Sequence, residues 1–130
     1  MPRAARLLPV LLGAAVLAGG CGDPKPEPAE NMTIGLRLDE YRIMPQAVSA
    51  PAGHLRLIMR NLGTLPHNVV VTTIPEVGSD DPAVEIARTE TVHAGERTEV
   101  SFTLKPGTYR LYCAIGNHDD LGQAGTLVVK

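Results

Sequence analysis

Short segments with alternating apolar and polar residues, bounded by glycine or proline, most constrain the fold of this chain. Every second residue is apolar from 32 to 38, and the same alternation returns over residues 100–105. Successive side chains of a strand point to opposite faces, so this pattern is typical of strands with one buried face. Pro106 and Gly107 mark a turn between two such segments. About seven or eight short strands, with turns roughly every 8–12 residues, predict an all-β sandwich of two sheets.

Two segments are less regular. Residues 41–49 read as extended, but Pro45 interrupts them and predicts an edge strand or a bulge, because proline cannot donate to a sheet. Residues 84–92 predict a weak strand, with a short helix over 82–87 as the alternative.

The N-terminal residues read as an export signal. Residues 1–6 carry two arginines, residues 7–17 form an apolar run that is too short to span a bilayer, and small residues follow. The end of this segment, Leu17-Ala18-Gly19-Gly20-Cys21, resembles a bacterial lipobox. We therefore predict a lipoprotein signal peptide over residues 1–20 and a lipidated Cys21, the alternative being an ordinary secretory signal.

The next segment, residues 21–31, has prolines at alternate positions and predicts an extended tether. Residues 32–130 then form one domain, because about 100 residues suffice for a single core. This organisation predicts an exported lipoprotein, anchored to the membrane through its acyl chains, that faces the periplasm or the cell exterior.

Charge and composition exclude several classes of partner. Without Arg3 and Arg6, 10 of the 12 basic side chains remain against 14 acidic ones, a formal charge of −4. No basic stripe exists, so we expect no nucleic-acid partner. No glycine-rich loop joins a strand to a helix, so we do not expect a phosphate-cradling fold. We also expect no small-molecule substrate.

The cysteines point to a metal. Lipidation would occupy Cys21, which leaves Cys113 as a lone thiol in an oxidising compartment. His118 and Gln123 follow at intervals of five residues, and Gly116 and Gly122 allow the loop to fold back. One thiolate with two imidazoles, the second from the distant His67, forms a soft three-coordinate site that suits copper. Gln123 is placed to be a weak fourth donor.

The chain resembles the cupredoxins, the small blue copper proteins. Two patterns carry the resemblance: Asn61-x-Gly63-x3-His67-Asn68 and Tyr112-Cys113-x4-His118-x4-Gln123-x-Gly125-x-Leu127-x-Val129. The resemblance spans residues 32–130 and implies a cupredoxin-like Greek-key β-sandwich of about seven to eight strands.

The resemblance also implies roles for the site residues. His67, Cys113 and His118 would be the equatorial ligands of one copper ion per chain, which alternates between Cu(II) and Cu(I). Asn68 would join the two ligand-bearing segments by hydrogen bonds, and the ring edge of His118 would be the exit for the electron. Glutamine at position 123, where most of the family has methionine, is similar to the stellacyanin-like branch.

The function that follows is a type 1 copper electron carrier, working between membrane or periplasmic redox proteins such as cytochromes or oxidases. We expect no enzyme, because nothing in the sequence supplies an oxyanion hole or a substrate pocket for a thiol nucleophile. A copper-holding or delivery protein of the cell envelope is the alternative, and a metal-free interaction module is a third.

Each site residue also has a plainer interpretation. Cys113 would be an unreactive buried thiol, His67 a loop histidine bonded to backbone, and Gln123 a turn residue. Apolar residues on the ligand-bearing loops would form a docking patch around His118 or simply cover the metal; these are Leu62, Leu65, Pro66, Ile115 and Leu121.

Overall fold

The computed structural model describes residues 22–130, so the predicted export signal and Cys21 lie outside the described residues. Within this range the chain forms ten strands and no helix. In chain order they are β1 (Glu27–Pro28), β2 (Thr33–Asp39), β3 (Arg42–Met44), β4 (Ala47–Ala50), β5 (Gly53–Asn61), β6 (Val70–Thr73), β7 (Glu85–Arg88), β8 (Arg97–Leu104), β9 (Gly107–Tyr112) and β10 (Ala124–Val129). The same residues contain no helix of the length and apolarity that crossing a membrane requires.

The strands form two mixed sheets. The larger has the order β1-β4-β10-β9-β6-β7, and the smaller has the order β3-β2-β5-β8. Parallel pairs (β2 with β5, β4 with β10) stand beside antiparallel ones such as β9 with β10. The predicted cupredoxin-like β-sandwich is confirmed. It has ten strands rather than seven or eight, because the segment 41–49 divides into β3 and β4 and because β1 adds a strand before residue 32.

The core lies between the sheets and follows the alternation in sequence. In β2, Ile34, Leu36 and Leu38 are buried, while Gly35 and Arg37 face solvent. The other buried positions of the core are mostly aliphatic and include Leu55, Leu57, Met59, Val69, Val71, Phe102, Leu104, Leu111, Leu127 and Val129. Burial of these side chains is the main stabilising contribution to the sandwich.

The two segments that are irregular in sequence, residues 41–49 and 84–92, both form strands. The chain leaves the smaller sheet after β3, passes through Pro45 and joins the larger sheet as β4, so the proline lies where the chain changes sheets. β3 is an edge strand, as predicted, whereas β4 lies between two neighbours. The predicted weak strand over residues 84–92 is confirmed by β7 and by a bridge between Val92 and His67, and no helix forms there.

The larger sheet extends into the segment predicted as a tether. Glu27 and Pro28 form β1, which pairs in parallel with Val48 and Ser49 of β4. The backbone N–H of Ala29 then donates to the carbonyl of Ser49 at 2.7 Å. Residues 27–29, shortly before the predicted domain boundary, therefore run along the sheet.

Candidate metal centre

The predicted ligands meet at one end of the sandwich. β9 ends at Tyr112 and β10 begins at Ala124, so the intervening residues, 113–123, form a loop at this end; we call it the ligand loop. Val70 of β6 pairs with Tyr112, and this register brings His67, three residues before Val70, to the same end. The topology thus joins two segments that are 46 residues apart in sequence.

Cys113, His67 and His118 form a compact donor cluster. The Sγ atom of Cys113 lies 3.8 Å from Nδ1 of His67 and 3.7 Å from Nδ1 of His118. The three candidate donor atoms all lie within 4.8 Å of one another. Cys113 and His67 are buried, and His118 is half-buried.

These distances fit a single metal ion. An ion about 2.0–2.3 Å from one sulfur and two nitrogens in a roughly trigonal arrangement would separate sulfur from nitrogen by about 3.8 Å. Both imidazoles turn Nδ1 toward the sulfur, so all three donors face one point. One thiolate and two imidazoles are the donor set of a blue copper site, and the cluster fits one type 1 copper ion.

The ligand loop is closed by hydrogen bonds within itself. The backbone N–H of Cys113 donates to the carbonyl of Gln123 at 3.1 Å, and the N–H of Gln123 donates to the carbonyl of His118 at 3.0 Å. Gly116 and Gly122 have positive φ angles of 52° and 113°, which residues other than glycine rarely adopt. The glycines expected to fold the loop back therefore lie where the backbone requires them.

His67 is held by Val92, which is distant in sequence, and by the nearby Asn61. Its backbone exchanges two hydrogen bonds with Val92, at 3.1 and 2.9 Å. The buried side chain of Asn61 donates to the carbonyls of Leu65 and Val92, at 2.8 and 3.0 Å, and accepts from the N–H of Gly63 at 2.9 Å. Asn61 thus holds the loop before His67 against the strand that pairs with it.

Asn68 connects the two ligand-bearing segments, as the resemblance implies. Its Oδ1 accepts a hydrogen bond of 2.9 Å from the backbone N–H of Ala114, next to Cys113. Its Nδ2 donates to Oγ1 of Thr91 at 3.3 Å. The bond to Ala114 limits how far the sulfur and the His67 ring move relative to each other.

Gln123 is a buried side chain rather than an exposed turn residue, with 0% of its surface accessible. Its Nε2 donates to the carbonyls of Asp39 and Arg42, at 2.5 and 3.2 Å. Its Oε1 is buried and has no hydrogen-bond partner among residues 22–130. A buried oxygen without a partner is costly, so this atom has unused capacity to bind a cation.

Glu40 is a residue at the site that the sequence patterns do not indicate. It follows β2, and its Oε1 accepts hydrogen bonds from the backbone N–H groups of Thr64 and Leu65, at 2.6 and 3.0 Å. The same oxygen lies 3.7 Å from Nε2 of His67. A Cβ atom on Gly63 would overlap this oxygen, so the glycine of the Asn61-x-Gly63 pattern makes room for the carboxylate. In the sequence, Gly63 is the available sign of this contact, but the sequence alone does not show which side chain approaches the glycine.

Burial and charge shift two pKa values at the site. Removal from water lowers the pKa of His67, the nearby His118 lowers it further, and Glu40 opposes this shift. The backbone N–H groups of Leu65 and Thr64 lower the pKa of Glu40 to about 2. His67 therefore favours the neutral form that binds metals, and Glu40 is ionised at neutral pH.

His118 is the ligand candidate that approaches the surface. Its ring meets the edge of Tyr41, with the centroids 5.4 Å apart. Leu62, Leu65 and Leu121, on the loops that carry the candidate ligands, are exposed.

Comparison with known proteins agrees with this geometry. The family model of the cupredoxin-like domain matches residues 10–129. The chain belongs to this family. Plastocyanin from Ginkgo biloba is 28% identical over 93 residues, which cover 70% of this chain and 90% of the plastocyanin.

Two solved structures share the fold of this cupredoxin. Auracyanin from Roseiflexus castenholzii superposes with a TM-score of 0.68 at 23% identity, over 78% of this chain and 98% of the auracyanin. Auracyanin A, a blue copper protein from Chloroflexus aurantiacus, gives a TM-score of 0.65 at 22% identity, over 80% and 100% of the two chains. At these identities the two structures establish the fold of this chain. The donor cluster fits the copper ion of the family.

Proposed function

We propose that this cupredoxin is a type 1 copper electron carrier and that His67, Cys113 and His118 are the equatorial ligands of its copper. The observation that supports this most directly is the convergence of one buried sulfur and two Nδ1 atoms, both within 3.8 Å of that sulfur. The bound copper would supply a one-electron Cu(II)/Cu(I) couple. The chain's own contribution is to hold the three donors in a fixed arrangement.

Rigidity is what suits the site to electron transfer. Asn68, Asn61 and the bonds within the ligand loop fix the donors from several directions. A site held in this way changes little when its charge changes, so little reorganisation accompanies the transfer of an electron. A copper-delivery protein, in contrast, has to release its ion, which tightly held donors would slow.

We further propose that Oε1 of Gln123 is the weak axial donor. The two hydrogen bonds from Nε2 to the carbonyls of Asp39 and Arg42 orient the amide and leave the oxygen without a partner among the described residues. Amide oxygen is a harder donor than a thioether and stabilises Cu(II) more. The site would therefore have a lower reduction potential than the same site with methionine.

The half-buried ring of His118 is the proposed exit for the electron. The exposed side chains of Leu62, Leu65 and Leu121 would contact a redox partner around it, and cytochromes or oxidases are the partners we expect. An apolar surface of this kind suits transient contact, because it is desolvated easily and makes few specific bonds.

A lipid anchor at Cys21 would hold this exit near the membrane. β1 runs parallel to β4, whose first residues pair with β10 just after Gln123. Asp23 and Pro24 line one groove together with Gln46 and Ala124, so the chain enters the domain at the end that carries the site. This path supports a partner that lies in or on the membrane from which the exported lipoprotein projects.

Copper loading and colour test the proposal. Purified protein with Cu(II) should bind one ion per chain and turn intensely blue, and Cys113→Ser should lose the colour while circular dichroism shows that the fold is retained. Voltammetry should give a fast, reversible one-electron couple. A colourless wild-type complex would contradict the type 1 site, and a blue protein with a slow or irreversible couple would favour the holding or delivery function.

A further inference from the structure

The second nitrogen of the His67 ring lies in an unusual environment. Nε2 is buried and makes no hydrogen bond to any residue in the range 22–130. Since Nδ1 faces the sulfur of Cys113, a neutral His67 that binds metal through Nδ1 carries its proton on Nε2. The carboxylate oxygen Oε1 of Glu40 lies 3.7 Å from this nitrogen.

Glu40 is held in this position by bonds to backbone. The N–H groups of Thr64 and Leu65 both donate to Oε1, and Gly63 leaves the space that the carboxylate fills. No lysine or arginine among the described residues forms an ion pair with Glu40, whereas the neighbouring Asp39 is paired with Arg42. The negative charge beside the ring is therefore fixed in place and is not neutralised by a side chain.

We propose that Glu40 is a positioning residue that lowers the reduction potential of the copper site by acting on His67 from its outer side. A carboxylate near the N–H of a ligand imidazole orients the ring and makes it a stronger donor. Its charge also favours the oxidised site, which carries one more positive charge than the reduced site. This inference rests on the proposed function.

Glu40→Gln separates the electrostatic role from a structural one. Glutamine keeps an oxygen that accepts from Thr64 and Leu65, but it removes the charge. We expect the blue colour and one bound copper to remain, and the ratio of reduced to oxidised protein at a fixed potential to rise at least threefold. That ratio corresponds to an increase of about 28 mV in the midpoint potential, at 59 mV per tenfold change.

Glu76→Gln is the matched control. It removes the same charge from the exposed connection between β6 and β7, at the opposite end of the sandwich from the site. We expect its potential to remain within measurement error of the wild type at physiological ionic strength, because charges this distant are screened.

Gly63→Ala tests the effect of the Glu40 carboxylate on His67 without changing any charge. The added Cβ would overlap Oε1 of Glu40 and displace the carboxylate from His67. The potential should rise here as well. In the reduced protein, the Nε2 proton of His67 should give a slowly exchanging NMR signal that shifts in both Glu40→Gln and Gly63→Ala.

The outcomes separate this inference from the proposed function. If the wild type forms no blue site, the proposed function fails before Glu40 is tested. A blue site whose potential and His67 proton signal are the same in the wild type and Glu40→Gln would overturn the role of Glu40 alone. Equal shifts in Glu40→Gln and Glu76→Gln would also overturn it, because they would reflect net charge rather than position.

Discussion

The two segments that form the metal centre are held by different sets of hydrogen bonds. The ligand loop, residues 113–123, contains Cys113, His118 and Gln123 and is closed by hydrogen bonds within itself. The His67 segment, residues 61–68, is instead held by Val92 and Glu40, which are distant in sequence. Bonds within the segment therefore contribute more to the ligand loop, whereas the backbone of His67 and the side chain of Glu40 connect the other segment to distant parts of the chain. The difference means that comparable substitutions in the two segments should have different consequences.

The largest expected effect is the loss of the copper site. Added imidazole should restore the site in a histidine variant of one segment but not in that of the other. His67→Gly and His118→Gly should both lose the blue colour. Added imidazole should restore the colour in His118→Gly, because that ring is half-buried and reaches the surface, but not in His67→Gly, whose site is 0% exposed. Titration with imidazole, followed by absorption, measures the return of the blue colour. Equal recovery in both variants would show that the two histidine positions are equally accessible.

Removal of the Asn61 side chain should have the next largest effect. Asn61→Ala leaves the N–H of Gly63 and the carbonyls of Leu65 and Val92 without their buried partner. We expect the unfolding free energy of the metal-free protein to fall by about 2–4 kcal/mol in urea denaturation.

Asn117→Ala is the control in the ligand loop. Asn117 is exposed, so we expect a change of less than about 0.5 kcal/mol. Similar losses in the two variants would show that the His67 segment depends no more on distant contacts than the ligand loop does.

Gln123 lies in the ligand loop, but its amide is held by groups distant in sequence, because it bonds to the backbone of Asp39 and Arg42. Gln123→Met replaces the proposed axial oxygen with a thioether. We expect the reduced-to-oxidised ratio at a fixed potential to rise about tenfold, which is about 59 mV in potentiometry. The exposed Gln46→Met should leave the potential unchanged. No rise in Gln123→Met would contradict axial binding.

The smallest expected effect concerns pH. The folded protein lowers the pKa of Glu40 from 4.5 to about 2, so the unfolded chain takes up this proton at a higher pH than the folded chain does. The stability contributed by Glu40 is therefore complete above pH 4.5 and is lost as the pH falls toward 2. Denaturation of the metal-free wild type and Glu40→Gln across this range should give curves that converge at low pH. Parallel curves would show that the ionised carboxylate of Glu40 adds no stability beyond that of its neutral form.

Local patterns determined much of this protein. Alternation in β2 and β8 predicted the buried face of each strand, because the side-chain period of a strand is a local property. The spacing from Cys113 to Gln123 indicated the ligand loop, because a loop of that length, with glycines at two positions, closes on itself. The passage of the chain from β3 to β4 between the sheets was signalled only by Pro45.

Only the tertiary structure decided which distant groups meet the ligands. His67 reaches Cys113 because β6 pairs with β9, and no local pattern states that register. Glu40 approaches Nε2 of His67 because β2 ends beside the loop that follows β5, and sequence shows only the glycine that makes room for it. The orientation of the Gln123 amide depends on two backbone carbonyls from across the sandwich. Spacing along the chain limits contacts within a loop, whereas contacts between strands depend on how the sheets pair and pack.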